Sequence, residues 1–193
     1  MSGHLRNPSR RQCLLNLSAL AMACVWPIAS AWAQALPVEI KQTMPQSRLQ
    51  GQGRLTFLGL SIYDARLWTL NDFDAARYTE QPVALELIYL RKLYGKKIAE
   101  RSIQEMQRIG SFTAEQSKHW VEQMTALFPD VKDRDRITGV YVPQPGAVHF
   151  YVNGQLKGKI EDAQFAQLFV GIWLSPRTSE PALRERLLGK TNP

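Results

Sequence analysis

The sequence predicts an α+β domain in which helices layer on one largely antiparallel sheet. Three observations predict it. Strand-like and helix-like patterns come in blocks: strands, two helices, strands, two helices. That order builds segregated layers rather than alternating βα units. The stretch PVALELIYL from Pro82 to Leu90 is apolar at nearly every position except Glu86, so it is a strand covered on both faces or lining a cavity. Asn153-Gly154, set between YV and QLKGKI, is a type I′ turn signal that makes its flanking strands antiparallel neighbours.

The chain opens with basic Arg6, Arg10 and Arg11, an apolar run from Cys13 to Ile28, and Ala31-Trp32-Ala33 before Gln34. This is the layout of a secretory signal peptide, with cleavage expected after Ala33 and a single domain over 34–193. Ser9-Arg10-Arg11 also resembles a twin-arginine signal, and the general and twin-arginine routes both stay open. An apolar run of about 16 residues is short for a membrane span of about 20, so no transmembrane segment is expected after cleavage. The localisation this implies is the periplasm.

Pro37 to Met44 reads as strand. Arg48 to Trp68, with alternating apolar positions interrupted by Gly51, Gly53 and Gly59, reads as a twisted hairpin. Asn71 to Gln81 is polar and turn-rich. After the Pro82–Leu90 strand, Ala99, Ile103, Met106 and Gly110 recur at helical spacing with charges between them. Thr113 with Gln116 forms a capping-box pattern that opens a second helix through Phe128, where Pro129 helps stop it. Strands at Ile137–Val142 and Ala147–Val152 precede the Asn153-Gly154 hairpin. Asp162 to Trp173 and Glu180 to Leu188 are the last helices, with Gly189 past the end.

Composition excludes several functions. Both cysteines, Cys13 and Cys24, precede the expected cleavage site, so the mature chain has no thiol nucleophile, thiolate metal site or disulfide. Three of the 24 basic residues and none of the 17 acidic ones lie in the signal, which leaves 21 − 17 = +4. That mild, dispersed charge argues against a nucleic-acid partner. There is no nucleophile elbow, phosphate-binding glycine loop or HExxH. His119 and His149, 30 positions apart, do not suggest a metal site. No metal or cofactor is expected.

The polar residues of RLTFLGLSIYDARLW, 54–68, are the candidates. Asp64 and Arg66 are two apart on a strand and share a face, where they pair with each other or with a neighbouring strand. Tyr63 points to the other face with Ala65 and Leu67. If that face is interior its hydroxyl needs a partner, either backbone or one of Arg54 and Tyr89. A polar cluster of Arg54, Tyr63 and Tyr89 in an apolar cleft would hold a carboxylate headgroup.

GQGRLTFLGLSIYDARLW, ALELIYLRKLYGKKIAE and FAQLFVGIWLSPRTSEPALRERLLG together resemble the bacterial chalcone isomerase-like proteins, exported relatives of plant chalcone isomerase and of plastid fatty-acid-binding proteins. The similarity runs in order from Leu49 to Gly189. It implies an open-faced β-sandwich, a large antiparallel sheet covered by helices with a ligand cleft between. It also implies that Tyr63 is the hydroxyl residue of the second strand and Arg54 the early-strand arginine, although Gly51 falls at the family position and Arg54 lies a few residues nearer to Tyr63. The family's helical tyrosine and asparagine have no counterpart in the shortened region from Arg91 to Phe128. The resemblance therefore implies the fold without flavonoid cyclisation, and no catalytic residue is assigned.

The leading expectation is a non-catalytic exported protein whose cleft holds a fatty acid or similar amphipathic molecule, with Arg54, Tyr63 and Tyr89 as ligand-binding residues. The alternative is an envelope module with a packed interior that binds a partner protein on its surface. An isomerase is the third reading.

Overall fold

Six strands pair in chain order, every neighbour antiparallel: β1 (Arg48–Phe57), β2 (Leu60–Thr69), β3 (Val83–Tyr89), β4 (Arg136–Val142), β5 (Ala147–Val152) and β6 (Gln155–Glu161). The structure is a computed structural model that describes residues 35–190, with residues 1 and 3. Apart from those two residues, the expected signal segment lies outside the described residues. Helices α2 (Gly95–Ile109), α3 (Ala114–Leu127), α4 (Ala163–Leu174) and α5 (Pro181–Leu187) form a layer over one face of the sheet, and a 3-10 helix spans Ala75–Glu80. The sandwich is open-faced and antiparallel, as the block order requires.

The main core lies under that layer. Leu67, Leu85, Val148 and Phe150 from the sheet meet Met106, Met124, Phe165 and Phe169 from the helices. Phe150 stands edge-on to Phe169, with ring centres 5.2 Å apart. The capping box at Thr113 and Gln116 forms as the sequence predicts. Asp162 caps α4 through the Phe165 N–H and also accepts from Trp120 Nε1 at 2.9 Å, which ties the start of α4 to α3. The turns at Leu58-Gly59 and Asn153-Gly154 both carry two successive positive φ angles, the type I′ geometry that matches strand twist. A Cβ at Gly51 would stand 2.2 Å from the Arg186 carbonyl, so this glycine lets the end of α5 lie directly on β1.

One element differs from the expectation. Residues Val38–Thr43 form a short helix, α1, rather than a strand. The alternation of Val38 and Ile40 suits either period, but Ile40 and Met44, four apart, face the same way and bury against Trp68, Ala84, Val140 and Tyr151. These sheet residues are on the face opposite the helix layer, so α1 covers the outer face of β2–β5. This explains why β3 is apolar at both parities.

Beneath α1 the outer face carries a polar network. Glu39 and Glu86 are both fully buried. Arg136 bridges them, 2.9 Å to Glu39 and 3.2 Å to Glu86. Thr138 donates to Glu39 at 3.0 Å, and Trp68 Nε1 donates to Glu86 at 3.2 Å, with Arg66 beside it at 3.4 Å. Arg66 thus pairs with the neighbouring strand rather than with Asp64.

Candidate functional site

Between the helix-covered face of the sheet and helices α2 and α4 lies a cavity of about 250 Å³. The sheet contributes Leu55, Tyr63, Leu87 and Tyr89. Helix α4 contributes Phe169, Ile172 and Trp173, and α2 contributes Ile98, Arg101, Ser102 and Glu105. Ile98, Ser102 and Glu105 follow at i, i+4 and i+7, so one stripe of α2 faces the cavity. Its exposed lining residues mark the mouth: Phe57 is 52% exposed, and the Arg101 side chain 53%. A larger depression of about 960 Å³ lies between α2 and α3, but none of its lining residues is buried, so it is a surface groove.

Two phenols supply the polar groups on the sheet side of the cavity. The Tyr63 oxygen accepts a hydrogen bond from Trp173 Nε1 at 3.1 Å. Tyr89 stands edge-on to Tyr63, ring centres 6.0 Å apart. Neither phenolic proton has an acceptor among the described residues. Burial pushes the Tyr63 phenol well above its usual range; the Trp173 N–H opposes this, and Glu180 and Glu105 reinforce it against Arg101. Burial likewise raises Tyr89, and Tyr63 adds to the rise. Both hydroxyls therefore stay protonated through the physiological range and offer two donors to a cavity lined mostly by hydrocarbon.

These raised phenols carry a pH prediction. Above a pH of about 10 the unfolded chain sheds phenolic protons that the folded chain keeps, so stability is lost as pH rises past that point. Ultraviolet titration should show at least two of the six tyrosines ionising only as the protein unfolds. All six ionising reversibly near pH 10 in the folded state would contradict their burial.

At the mouth, Arg101 forms an ion pair with Glu105 one turn on, and its guanidinium lies 6.0 Å from the Phe57 ring centre. Glu105 is buried, its side chain 9% exposed, and Arg108 approaches it from the other side at 3.5 Å. Lys97 lies one turn before Arg101 on the same lining.

The structure brings Tyr63 and Tyr89 together and leaves Arg54 out. Arg54 makes a bidentate pair with Asp64, at 2.7 and 2.9 Å, on the opposite face of the sheet. The partner of the Tyr63 oxygen is Trp173, not Arg54 or Tyr89. The cause is a bulge. From the Leu58-Gly59 turn the register runs Phe57↔Leu60 and Thr56↔Ser61, then skips Ile62 to Leu55↔Tyr63 and Arg54↔Asp64. A regular hairpin would have set Arg54 opposite Tyr63; the extra residue on β2 turns it to the other face.

Sequence reasoning missed Arg101, Ser102, Glu105 and Trp173. A signal existed for two of them, because Ser102 and Glu105 interrupt the side of α2 whose apolar neighbours Ile103 and Met106 are buried. Polar groups in a buried stripe mark a cavity or a buried pair.

The profile of the chalcone isomerase-like family matches residues 33–189, and the chain belongs to that family. A protein of Haemophilus influenzae described as uncharacterized is 32% identical over 141 residues, which is 73% of this chain and 67% of the relative. Among solved structures, the fatty-acid binding protein of Arabidopsis thaliana shares the fold. The TM-score is 0.57 and the identity 14%, with 74% of this chain and 87% of that one covered. At that identity the likeness concerns the fold.

Proposed function

We propose that the protein binds a fatty acid or similar amphipathic molecule in the cavity between sheet and helices. The tail lies among Leu87, Phe128 and Phe169, and the headgroup accepts from Tyr63 and Tyr89 with Arg101 above it. One observation carries this reading: two phenols, Tyr89 buried and Tyr63 half-buried, whose protons have no acceptor among the described residues, in a mostly apolar cavity that also carries Ser102, Glu105 and Glu180 and has the Arg101 guanidinium at its mouth. A hydroxyl that faces a mostly apolar cavity gains from an acceptor, and a ligand oxygen would supply one. The Arabidopsis neighbour is a fatty-acid binding protein, which supports the same ligand class.

We further infer export to the periplasm. The basic, apolar and small-residue segments of residues 6–33 support it, and the family match begins at residue 33, where cleavage is expected. A mature protein in the periplasmic fraction should begin at Gln34; the uncleaved chain in that fraction would contradict this.

A fluorescent fatty-acid titration tests the headgroup placement. Tyr63→Phe removes a donor to a charged oxygen, a loss of roughly 1.5 to 3 kcal/mol, or about 10- to 150-fold in affinity. Arg101→Gln should weaken binding about tenfold, because the exposed guanidinium is partly screened by solvent. Arg54→Gln should leave affinity unchanged, since Arg54 lies across the sheet. Weakening by Arg54→Gln alone would place the headgroup elsewhere.

A further inference from the structure

The β1–β2 hairpin ends in an apolar tip whose side chains stay largely exposed among the described residues. Phe57, Leu58 and Leu60 are 52%, 84% and 51% exposed, and a Cβ on Gly59 would meet no atom within 4 Å. Leu58 holds this place at φ 49°, a left-handed position that favours Asn, Asp or Gly. A leucine there adds backbone strain and, at 84% exposure, gains little packing among the described residues, the pattern of a side chain meant for an outside surface.

Cations adjoin the tip. The Leu90 N–H donates to the Ile62 carbonyl at 3.0 Å, so the chain leaves β3 beside the hairpin and continues as RKLYGKK, 91–97. This segment has four cations and no carboxylate. Tyr94 is 57% exposed, and Lys92 Nζ lies 5.3 Å over its ring. The acidic residues of the loop beyond, Asp130, Asp133 and Asp135, are all engaged: Asp130 accepts from the Gly95 N–H, Asp135 from the Lys132 N–H, and Asp133 pairs with Arg134 at 3.7 Å. Of the four cations, Lys97 pairs with Glu100 at 2.8 Å on the exposed side of α2. Phe57 and Lys97 also line the cavity, so tip, cations and mouth are contiguous.

We propose that this end of the molecule docks on an anionic lipid bilayer, with Phe57, Leu58 and Leu60 in the headgroup region and Arg91, Lys92, Lys96 and Lys97 against lipid phosphates. Apolar side chains flanked by Lys and Arg are the chemistry that holds a protein at such an interface. Docking would open the cavity mouth onto the source of an amphipathic ligand. That purpose rests on the ligand reading above, whereas the bilayer contact does not.

Vesicle flotation tests it, with phosphatidylcholine vesicles that contain or lack phosphatidylglycerol. The wild type should float with the anionic vesicles and bind the neutral ones about tenfold less or weaker. Leu58→Asn should reduce binding to anionic vesicles about tenfold or more. Its thermal midpoint should equal or exceed the wild type's, because Asn suits the left-handed position. Its fatty-acid affinity without vesicles should be unchanged, since Leu58 does not line the cavity. Lys92→Gln with Lys96→Gln should remove the preference for anionic vesicles. A wild type that stays unbound to every vesicle would overturn the proposal in favour of a protein partner at the tip, as would Leu58→Asn floating as well as the wild type. Flotation without fatty-acid binding would leave the docking proposal standing and remove the cavity reading.

Discussion

Arg136→Met is expected to destabilise the fold by about 3 to 5 kcal/mol, the usual result of removing one partner from a buried ionic set. Among the described residues, Arg136 is the one group that reaches both fully buried carboxylates, Glu39 of α1 and Glu86 of β3. Without it Glu86 keeps Arg66 and the Trp68 N–H, while Glu39 keeps, among the described residues, only the Thr138 hydroxyl. Methionine preserves the apolar stem, so the loss reports the guanidinium rather than packing. Total stability of a domain is about 5 to 15 kcal/mol, so a change of this size would be plain in a urea unfolding curve of the two proteins. A loss under about 1 kcal/mol would show that α1 is held by Ile40 and Met44 alone.

Ser102→Phe is expected to abolish ligand binding while leaving the fold intact. Ser102 is buried on the α2 stripe that faces the cavity, and its hydroxyl donates to the Ile98 carbonyl within the same helix. A phenyl group there would project into the 250 Å³ space beside Tyr63. Filling an existing void removes ligand room without overpacking, so stability should stay within about 1 kcal/mol of the wild type or rise. Affinity for a fluorescent fatty acid should fall about 100-fold or more, a loss of at least about 2.7 kcal/mol. Unaltered affinity would place the ligand outside this cavity.

The layers were legible in the sequence because they rest on period and on turn chemistry. Asn153-Gly154, the Thr113 capping box and the apolar run of β3 each act locally, and each appears where its residues require. Residues 38–43 were not legible, because a six-residue segment with two apolar positions fits either period, and its helical form follows from contact with Trp68 and Tyr151. For the candidate site, strand parity separated Tyr63 from Asp64 and Arg66 correctly. It could not place Arg54, whose facing depends on the single extra residue Ile62 in a bulge. Arg101, Glu105 and Trp173 lie far from Tyr63 in the chain, and no local pattern says that α2 and α4 will close over β2. Glu86 could be seen as an exception in an apolar strand, but its partners Arg136 and Trp68 come from two other strands.

Native mass spectrometry of the protein purified from its native cells, beside Ser102→Phe prepared identically, tests the ligand reading most directly. The wild type should begin at Gln34 and carry a co-purifying adduct of fatty-acid size, released on mild activation, which Ser102→Phe lacks. Both proteins at their bare mass, or the same adduct on both, would contradict a ligand held in the cavity beside Tyr63 and Tyr89.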